Sequence, residues 1–135
     1  MIYGDIIING FKNNDIFNPS ARDNSTEPFI CLRNELKRYD IELNTSDVNK
    51  NKTISFEIHI DEQKAKHSKI PTFLLIYETN NTWPDNFNID KKKYVKVYSW
   101  DDDLVSLKKY NKFNFPIANN NNNVNTPGFS ERNGF

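Results

Sequence analysis

Short apolar runs, separated by polar segments rich in asparagine, form the dominant pattern of this sequence. Residues 73–77 follow a proline and are apolar or aromatic at every position, which is typical of a strand covered on both faces in a parallel sheet. From Ile54 to Ile60 every second residue is apolar, and this period of two predicts a strand with one apolar face. The pattern thus predicts two strands that differ in burial.

Further strands are predicted at residues 2–8, 39–43, 94–98 and 112–116. A helix is predicted to begin at Ser25 or Thr26, because these residue types cap helices. Its apolar stripe has four members at helical spacing: Phe29, Leu32, Leu36 and Tyr39. A strand, a helix and a second strand in succession favour a right-handed parallel crossover. The expected fold class is α/β, with a Rossmann-like, mostly parallel sheet flanked by helices.

The run at 73–77 ends abruptly at Glu78, which is followed by polar, turn-forming residues. Ligands of open α/β sheets bind at the carboxyl ends of the strands, so Glu78 is a candidate site residue. Trp83 and Trp100 each follow a predicted strand, and aromatic faces of this kind stack on sugar rings. A solvated loop glutamate and two core tryptophans would produce the same pattern.

Three segments resemble the bacterial α-1,3-fucosyltransferases of glycosyltransferase family 10. The first is DIFNPSARDNSTEPFICLRNELKRYDIELNTSDVNK, and the second is FLLIYE, followed by a loop with Trp-Pro and Asp-Asn-Phe. The third is KKYVKVYSWDDDLVSLKKYNKFNFP. In that order they resemble the end of the N-terminal, acceptor-side domain of the family, and the resemblance extends from about Asp15 to Phe135.

The resemblance implies an inverting transferase of GT-B type, the N-terminal half of which corresponds to this chain. Glu78 matches the glutamate that serves the family as general base. The implied acceptor-binding residues are Arg22, Asn24, Asn81, Trp83 and Trp100. The implied partner is a glycan acceptor, to which fucose is transferred from GDP-fucose.

The resemblance also implies a domain division. Residues 1–117 would form the acceptor domain, and residues 118–135 an asparagine-rich loop with the start of a donor-binding domain. GDP-fucose would bind that missing domain, so the fragment is expected to be inactive alone and to need no cofactor. Two alternatives stay open: a non-catalytic module that binds a glycan or a protein, and a truncated gene product.

Charge and composition restrict the partners. Eighteen Lys and Arg residues balance eighteen Asp and Glu residues, which argues against a dedicated nucleic-acid binder. The single cysteine, Cys31, excludes an internal disulfide framework and is predicted to be a small buried residue. The sequence shows no secretory or membrane-spanning run, so a cytoplasmic protein is expected, with room for peripheral contact with the inner membrane.

Two clusters, one of carboxylates with a histidine and one of aspartates, are candidate metal sites. Glu57, His59 and Asp61 share one face of a predicted strand, where they are either metal ligands or a half-exposed strand face. The run 101–103 is either a metal-binding Asp-x-Asp motif or the start of a helix, with an aspartate as its cap. The sequence favours the exposed face and the helix start, and no metal is expected.

Overall fold

The computed structural model describes residues 1–20, 24–62, 69–79, 81–106 and 110–114. Within these ranges the chain forms six strands and two α-helices, together with four short 3-10 helices. The strands are β1 (Ile2–Ile7), β2 (Ile41–Thr45), β3 (Ile54–Ile60), β4 (Thr72–Ile76), β5 (Lys96–Ser99) and β6 (Asn111–Lys112). The helices are α1 (Glu27–Lys37) and α2 (Asp102–Ser106).

All six strands belong to one sheet in the order β2-β1-β3-β4-β5-β6, and every neighbouring pair is parallel. The predicted α/β class with a Rossmann-like arrangement is confirmed. Strand order reverses between β1 and β3, which in open parallel sheets creates a crevice at the carboxyl ends of these strands. No helix in the described ranges has the length and apolar character required to span a bilayer.

One face of the sheet carries the larger apolar core. Ile6, Leu43 and Ile58 lie on neighbouring strands and are almost completely buried. Phe29 from α1 packs on this layer, together with the short 3-10 helix Asp15–Phe17. Since apolar burial contributes about 25 cal/mol per Å2, this contact fixes α1 against the sheet.

The opposite face is covered near β4 and β5 by the connection between them and by α2. Leu74 and Val97 are paired across the two strands and are buried, as is Ile76. Four partly buried side chains pack on them: Ile89, Tyr94, Leu104 and Tyr110. The run at 73–77 is therefore enclosed on both sides, as its apolar character predicts.

The same face is polar near β1, β2 and β3. Asn44, Asp5, Glu57 and Thr72 occupy matching register positions on four successive strands and form a polar row across the sheet. Asn49, from the loop after β2, covers this row and donates from Nδ2 to Asp5 Oδ1 at 2.7 Å and to the Gly4 carbonyl at 3.1 Å. Burial raises the pKa of the Asp5 carboxyl, and the charge of Glu57 adds to the effect.

Three sequence expectations are wrong. The face of β3 that carries Glu57 and His59 is not half exposed, because the loops above it bury His59 to 5% exposure. Tyr39 does not join the apolar stripe of α1, because the helix ends at Lys37 and Tyr39 is 67% exposed. Cys31 is exposed, because it lies on the solvent side of α1.

The aspartate run behaves as the helix start that the sequence favours. Asp101 Oδ1 accepts hydrogen bonds from the backbone N–H groups of Asp103 at 2.9 Å and Leu104 at 3.4 Å. The predicted boundary between residues 1–117 and 118–135 lies outside the described residues, as does the asparagine-rich segment. Residues 63–68 also lie outside them.

Gly4→Ala is expected to destabilise the fold, since a Cβ at position 4 would overlap the ring of Phe56 on the neighbouring strand. Overpacking of this kind costs about 1–3 kcal/mol, which urea unfolding would measure. The matched control is Phe56→Leu, alone and combined with Gly4→Ala. If the two losses simply add in the double variant, the ring does not cause the effect.

Asp5→Asn is expected to stabilise the protein at neutral pH. The native pKa of Asp5 is raised above its unfolded value of about 3.9, so the unfolded chain ionises first as the pH rises. The contribution of Asp5 to stability is thus complete below about pH 4 and is lost as the pH passes through the native pKa. An asparagine keeps the oxygen that Asn49 contacts and does not ionise.

Urea unfolding of both proteins between about pH 3 and pH 8 would check this prediction. The variant is expected to gain on the parent protein as the pH rises and to match it below about pH 4. A stability difference that does not change with pH would contradict the assignment.

Candidate functional site

Among the described residues, two clefts lie at the carboxyl ends of the strands. The larger, of about 380 Å3, lies at the switch point between β1 and β3 and extends to the end of β4. Phe11, Phe29 and Trp83 contribute apolar walls to it, while the exposed Ser25 contributes a hydroxyl group. A mostly apolar cavity with a few polar groups, at a switch point, is the usual form of a small-molecule site in this class of fold.

The smaller cleft, of about 200 Å3, lies between the ends of β4 and β5. Its lining includes Asn81, Trp100 and Asp101. Glu78 lines both clefts, and its side chain is exposed. Glu78, which the sequence places at the end of β4, therefore borders both cavities.

The position of Glu78 is set by Asp61, the residue immediately after β3. Asp61 Oδ1 accepts from the backbone N–H groups of Tyr77 at 2.8 Å and Glu78 at 2.9 Å. It also accepts from Nδ2 of Asn86 at 2.8 Å, and the same Nδ2 donates to the Glu78 carbonyl at 3.2 Å. Asp61 has a φ of 59° in the left-handed region, which aspartate tolerates better than most residues.

Asn86 completes this connection from the opposite side. Its side chain is fully buried, and its Oδ1 accepts from the backbone N–H of Glu62 at 2.8 Å. Buried amide and carboxylate groups cannot bond to water and need hydrogen-bond partners within the protein. Removing one member of this network therefore leaves the others without a partner. It ties the end of β3, the end of β4 and the 3-10 helix Pro84–Phe87 into one unit.

Both tryptophans are half-buried and anchored through their indole nitrogens. Trp83 Nε1 donates to the Glu62 carbonyl at 2.8 Å, and Trp100 Nε1 donates to the Tyr77 carbonyl at 3.0 Å. These bonds fix the rings at the walls of the two clefts. Each tryptophan therefore serves the framework and also lines a cavity.

Two tyrosines, Tyr77 at the wall of the larger cleft and Tyr94 packed against His59 away from both clefts, are neutral at physiological pH. Burial raises the pKa of Tyr77 to about 12, and the charge of Asp61 contributes. Burial also raises the pKa of Tyr94, whose hydroxyl donates to Glu62 Oε2 at 2.6 Å. Neither phenol is therefore suited to give up its proton as part of a reaction near pH 7.

The predicted site residues fall into separate groups. Glu78 lies with Trp83 in the larger cleft and with Asn81 and Trp100 in the smaller. Asn24 begins the short 3-10 helix before α1, whose next two residues line the larger cleft. Arg22 lies outside the described residues. The structure thus gathers four of the predicted side chains around two adjoining cavities.

Sequence reasoning missed the supporting residues Asp61 and Asn86. Asp61 has the same signal as Glu78, a carboxylate directly after an apolar strand, but the alternation of β3 groups it with the side chains of that strand. In the structure the chain turns at Asp61, so its carboxylate points away from that row and toward the end of β4. Asn86 belongs to the Asp-Asn-Phe segment that contributes to the family resemblance, but neither that segment nor any local pattern predicts a buried asparagine.

The described residues contain no group of three His, Cys, Asp or Glu side chains placed to hold a metal ion. His59 Nε2 lies 2.9 Å from Glu57 Oε2, and its ring packs edge-on against Tyr94. Both side chains are largely buried under the loops that cover this face of the sheet. This pair belongs to the packed interior and lies apart from the two clefts.

Comparison with protein-family models, with curated proteins and with solved structures finds no match to this chain. The functional interpretation accordingly depends on the fold and on the side chains at the carboxyl ends of the strands, a surface that we name the carboxyl edge. The resemblance to glycosyltransferase family 10 stays a prediction.

Asp61→Ala is expected to lower the free energy of unfolding by about 2–4 kcal/mol, because one buried and two part-buried donors lose their acceptor. Asp61→Asn keeps one acceptor oxygen and a residue type that tolerates positive φ, so a smaller loss is expected. Urea unfolding would measure both, with Asp101→Ala as the matched control. The control removes only a helix cap, at about 1 kcal/mol, and equal losses in all three variants would contradict the role of Asp61.

Proposed function

We propose that this chain is the acceptor-binding part of an inverting glycosyltransferase, with Glu78 as the general base. The observation that carries the proposal is the position of Glu78, exposed at the carboxyl end of β4 and shared by two clefts. The likeness of the sequence to the α-1,3-fucosyltransferases supplies the reaction: transfer of fucose from GDP-fucose to a glycan hydroxyl. A cytoplasmic location belongs to the same proposal.

The larger cleft suits one ring of a glycan. Trp83 and Phe11, which are partly exposed, offer apolar surface on which the apolar faces of a sugar ring stack. Ser25 is exposed in the same wall, and a serine hydroxyl can both donate a hydrogen bond to a sugar and accept one from it. A hydroxyl of that ring directed toward the boundary between the clefts would meet Glu78.

The chemistry needs few groups from this chain. Glu78 accepts the proton of the acceptor hydroxyl. The oxygen of that hydroxyl meanwhile forms a bond to the anomeric carbon of fucose. The bond from that carbon to the phosphate oxygen of GDP breaks, and the configuration inverts through an oxocarbenium-like transition state. The nucleotide would be held by a second domain, as the family resemblance implies.

The rigid network behind Glu78 supports this role. A general base accelerates the reaction only when it is held within hydrogen-bond distance of the hydroxyl. The backbone of Glu78 is fixed on both sides of its Cα. Its N–H is bound by Asp61 and its carbonyl by Asn86. Its side chain is exposed, and the residue lines both clefts.

A non-catalytic glycan-binding module is the second candidate. It is favoured by the two anchored tryptophans, each of which lines a cleft. Such a module needs Trp83 and Trp100 but has no use for the carboxylate of Glu78. The two candidates therefore differ in the effect of one substitution.

Glu78→Gln separates the two candidates. In the full-length natural gene product, supplied with GDP-fucose and an acceptor ending in N-acetylglucosamine, it is expected to lower kcat by about 10²–10⁴-fold. Acceptor affinity, measured by titration calorimetry, is expected to change less than about twofold, since glutamine keeps the shape and a hydrogen-bonding oxygen. Asp103→Asn, an exposed carboxylate on α2 outside both clefts, is the matched control.

Transfer by the Glu78→Gln variant at the parent rate would remove Glu78 from the mechanism. Glycan binding by both proteins without transfer by either would establish the binding module instead. Loss of affinity in a Trp83→Ala variant, with the fold intact by circular dichroism, would place the sugar in the larger cleft under either outcome.

A further inference from the structure

The edge of the sheet opposite the clefts carries unusual exposed side chains. Five large hydrophobic residues of the described chain are exposed: Met1, Ile2, Tyr39, Val48 and Val95. All except Val48 lie where strands begin, at the start of β1, just before β2 and just before β5. We name this surface the amino edge, and its apolar members used below are Ile2, Tyr39 and Val95.

The amino edge is also basic. Seven exposed Lys and Arg residues of the described chain lie there, at the end of α1 or beside the starts of the strands: Lys37, Arg38, Lys52, Lys69, Lys92, Lys93 and Lys96. The exposed acidic residues in the same described region are three: Glu35, Asp40 and Asp90. A chain with no net charge therefore has a positive amino edge, while Glu78 and the aspartate run of α2 lie at the opposite one.

Contacts place these residues beside the amino-terminal ends of neighbouring strands. The N–H of Ile2 donates to the Asp40 carbonyl at 3.0 Å, which places Tyr39 beside the start of β1. The N–H of Val95 donates to the Thr72 carbonyl at 2.8 Å, at the start of β4. Lys52 Nζ lies 4.9 Å from the ring of Tyr3 and so belongs to the same edge.

We propose that the amino edge docks on the surface of a membrane that contains anionic lipids. Lysines attracted to the headgroups and isolated apolar side chains inserted at the interface are the two components of peripheral membrane binding. The amino edge provides both on a rigid sheet end. This inference does not depend on the proposed glycosyltransferase function.

Spacing favours a lipid surface over a protein or a nucleic acid. Tyr39 and Val95 stand at strands four positions apart in the sheet, roughly 19 Å at the usual strand separation. A protein interface needs a contiguous apolar centre, which side chains so far apart do not form. Nucleic acids bind through phosphate contacts and give exposed aliphatic residues such as Val95 no role. A fluid surface accommodates each side chain separately.

Docking in this way would direct the two clefts away from the membrane. The strands run from the amino edge to the carboxyl edge, and five residues of β4 span roughly 17 Å. Glu78 would therefore stand roughly 20 Å above the headgroups, open to a substrate that approaches from the aqueous side.

Vesicle co-sedimentation tests the proposal with the full chain. Vesicles of phosphatidylcholine with about 30% phosphatidylserine are compared with pure phosphatidylcholine at about 0.1 M and 0.5 M salt, conditions that differ in electrostatic screening. Binding is expected only to the anionic vesicles and is expected to weaken at high salt. Each lysine near the surface multiplies the partition coefficient by about fivefold.

Lys92→Glu combined with Lys93→Glu is therefore expected to reduce binding by at least about 30-fold. The matched control is Lys12→Glu with Lys112→Glu, which changes the net charge equally at exposed positions beyond the end of β1 and beside the end of β5. The control is expected to lose much less. Tyr39→Ser with Val95→Ser is expected to lose about tenfold without any change of charge. Circular dichroism confirms that each variant is folded.

Three results would overturn the proposal. The first is no binding of the parent protein to anionic vesicles at low salt. The second is an equal loss in the carboxyl-edge control, which would indicate attraction by total charge alone. The third is stronger binding to duplex DNA or to polyglutamate than to the vesicles, which would assign the amino edge to another class of partner.

Discussion

One carboxylate oxygen, Oδ1 of Asp61, accepts hydrogen bonds from three donors on two separate segments, and the carboxyl edge takes its shape from this contact. Asp61 stops β3 with a left-handed turn and holds the chain where β4 ends. Asn86 joins the unit from the loop beyond. Because a buried carboxylate needs donors in place of water, the turn, the loop and the two clefts depend on one another.

This constraint joins two differently built faces of the sheet. On one face, α1 covers an apolar layer, and the burial of apolar surface area stabilises this contact. On the other, polar side chains lie under loops and satisfy each other by directional bonds, as Asn49 does for Asp5. Glu78 is displayed at the edge where these faces meet. A rigid framework with one exposed carboxylate is a sound basis for placing a reactive group.

Much of the fold could be predicted from the sequence, because the spacing of apolar residues and the signals for helix starts depend only on residues that are close in sequence. The enclosed run before Glu78 and the aspartate cap of α2 follow from such signals. The burial of the polar face of β3 does not, since alternation shows which residues share a face and not whether a distant loop covers it. The contact of Asp61 with the end of β4 links residues 17 positions apart, and no local pattern encodes it.

The polar row across β2, β1, β3 and β4 has a consequence for the accuracy of folding. Side chains alternate between faces, so a slip of one residue between strands would carry Asp5 or Asn44 into the apolar layer and Leu43 out of it. Each such error would strand a polar group without partners. The row therefore helps to specify the register of the strands, because a sheet with shifted strands is destabilised by its unsatisfied polar groups.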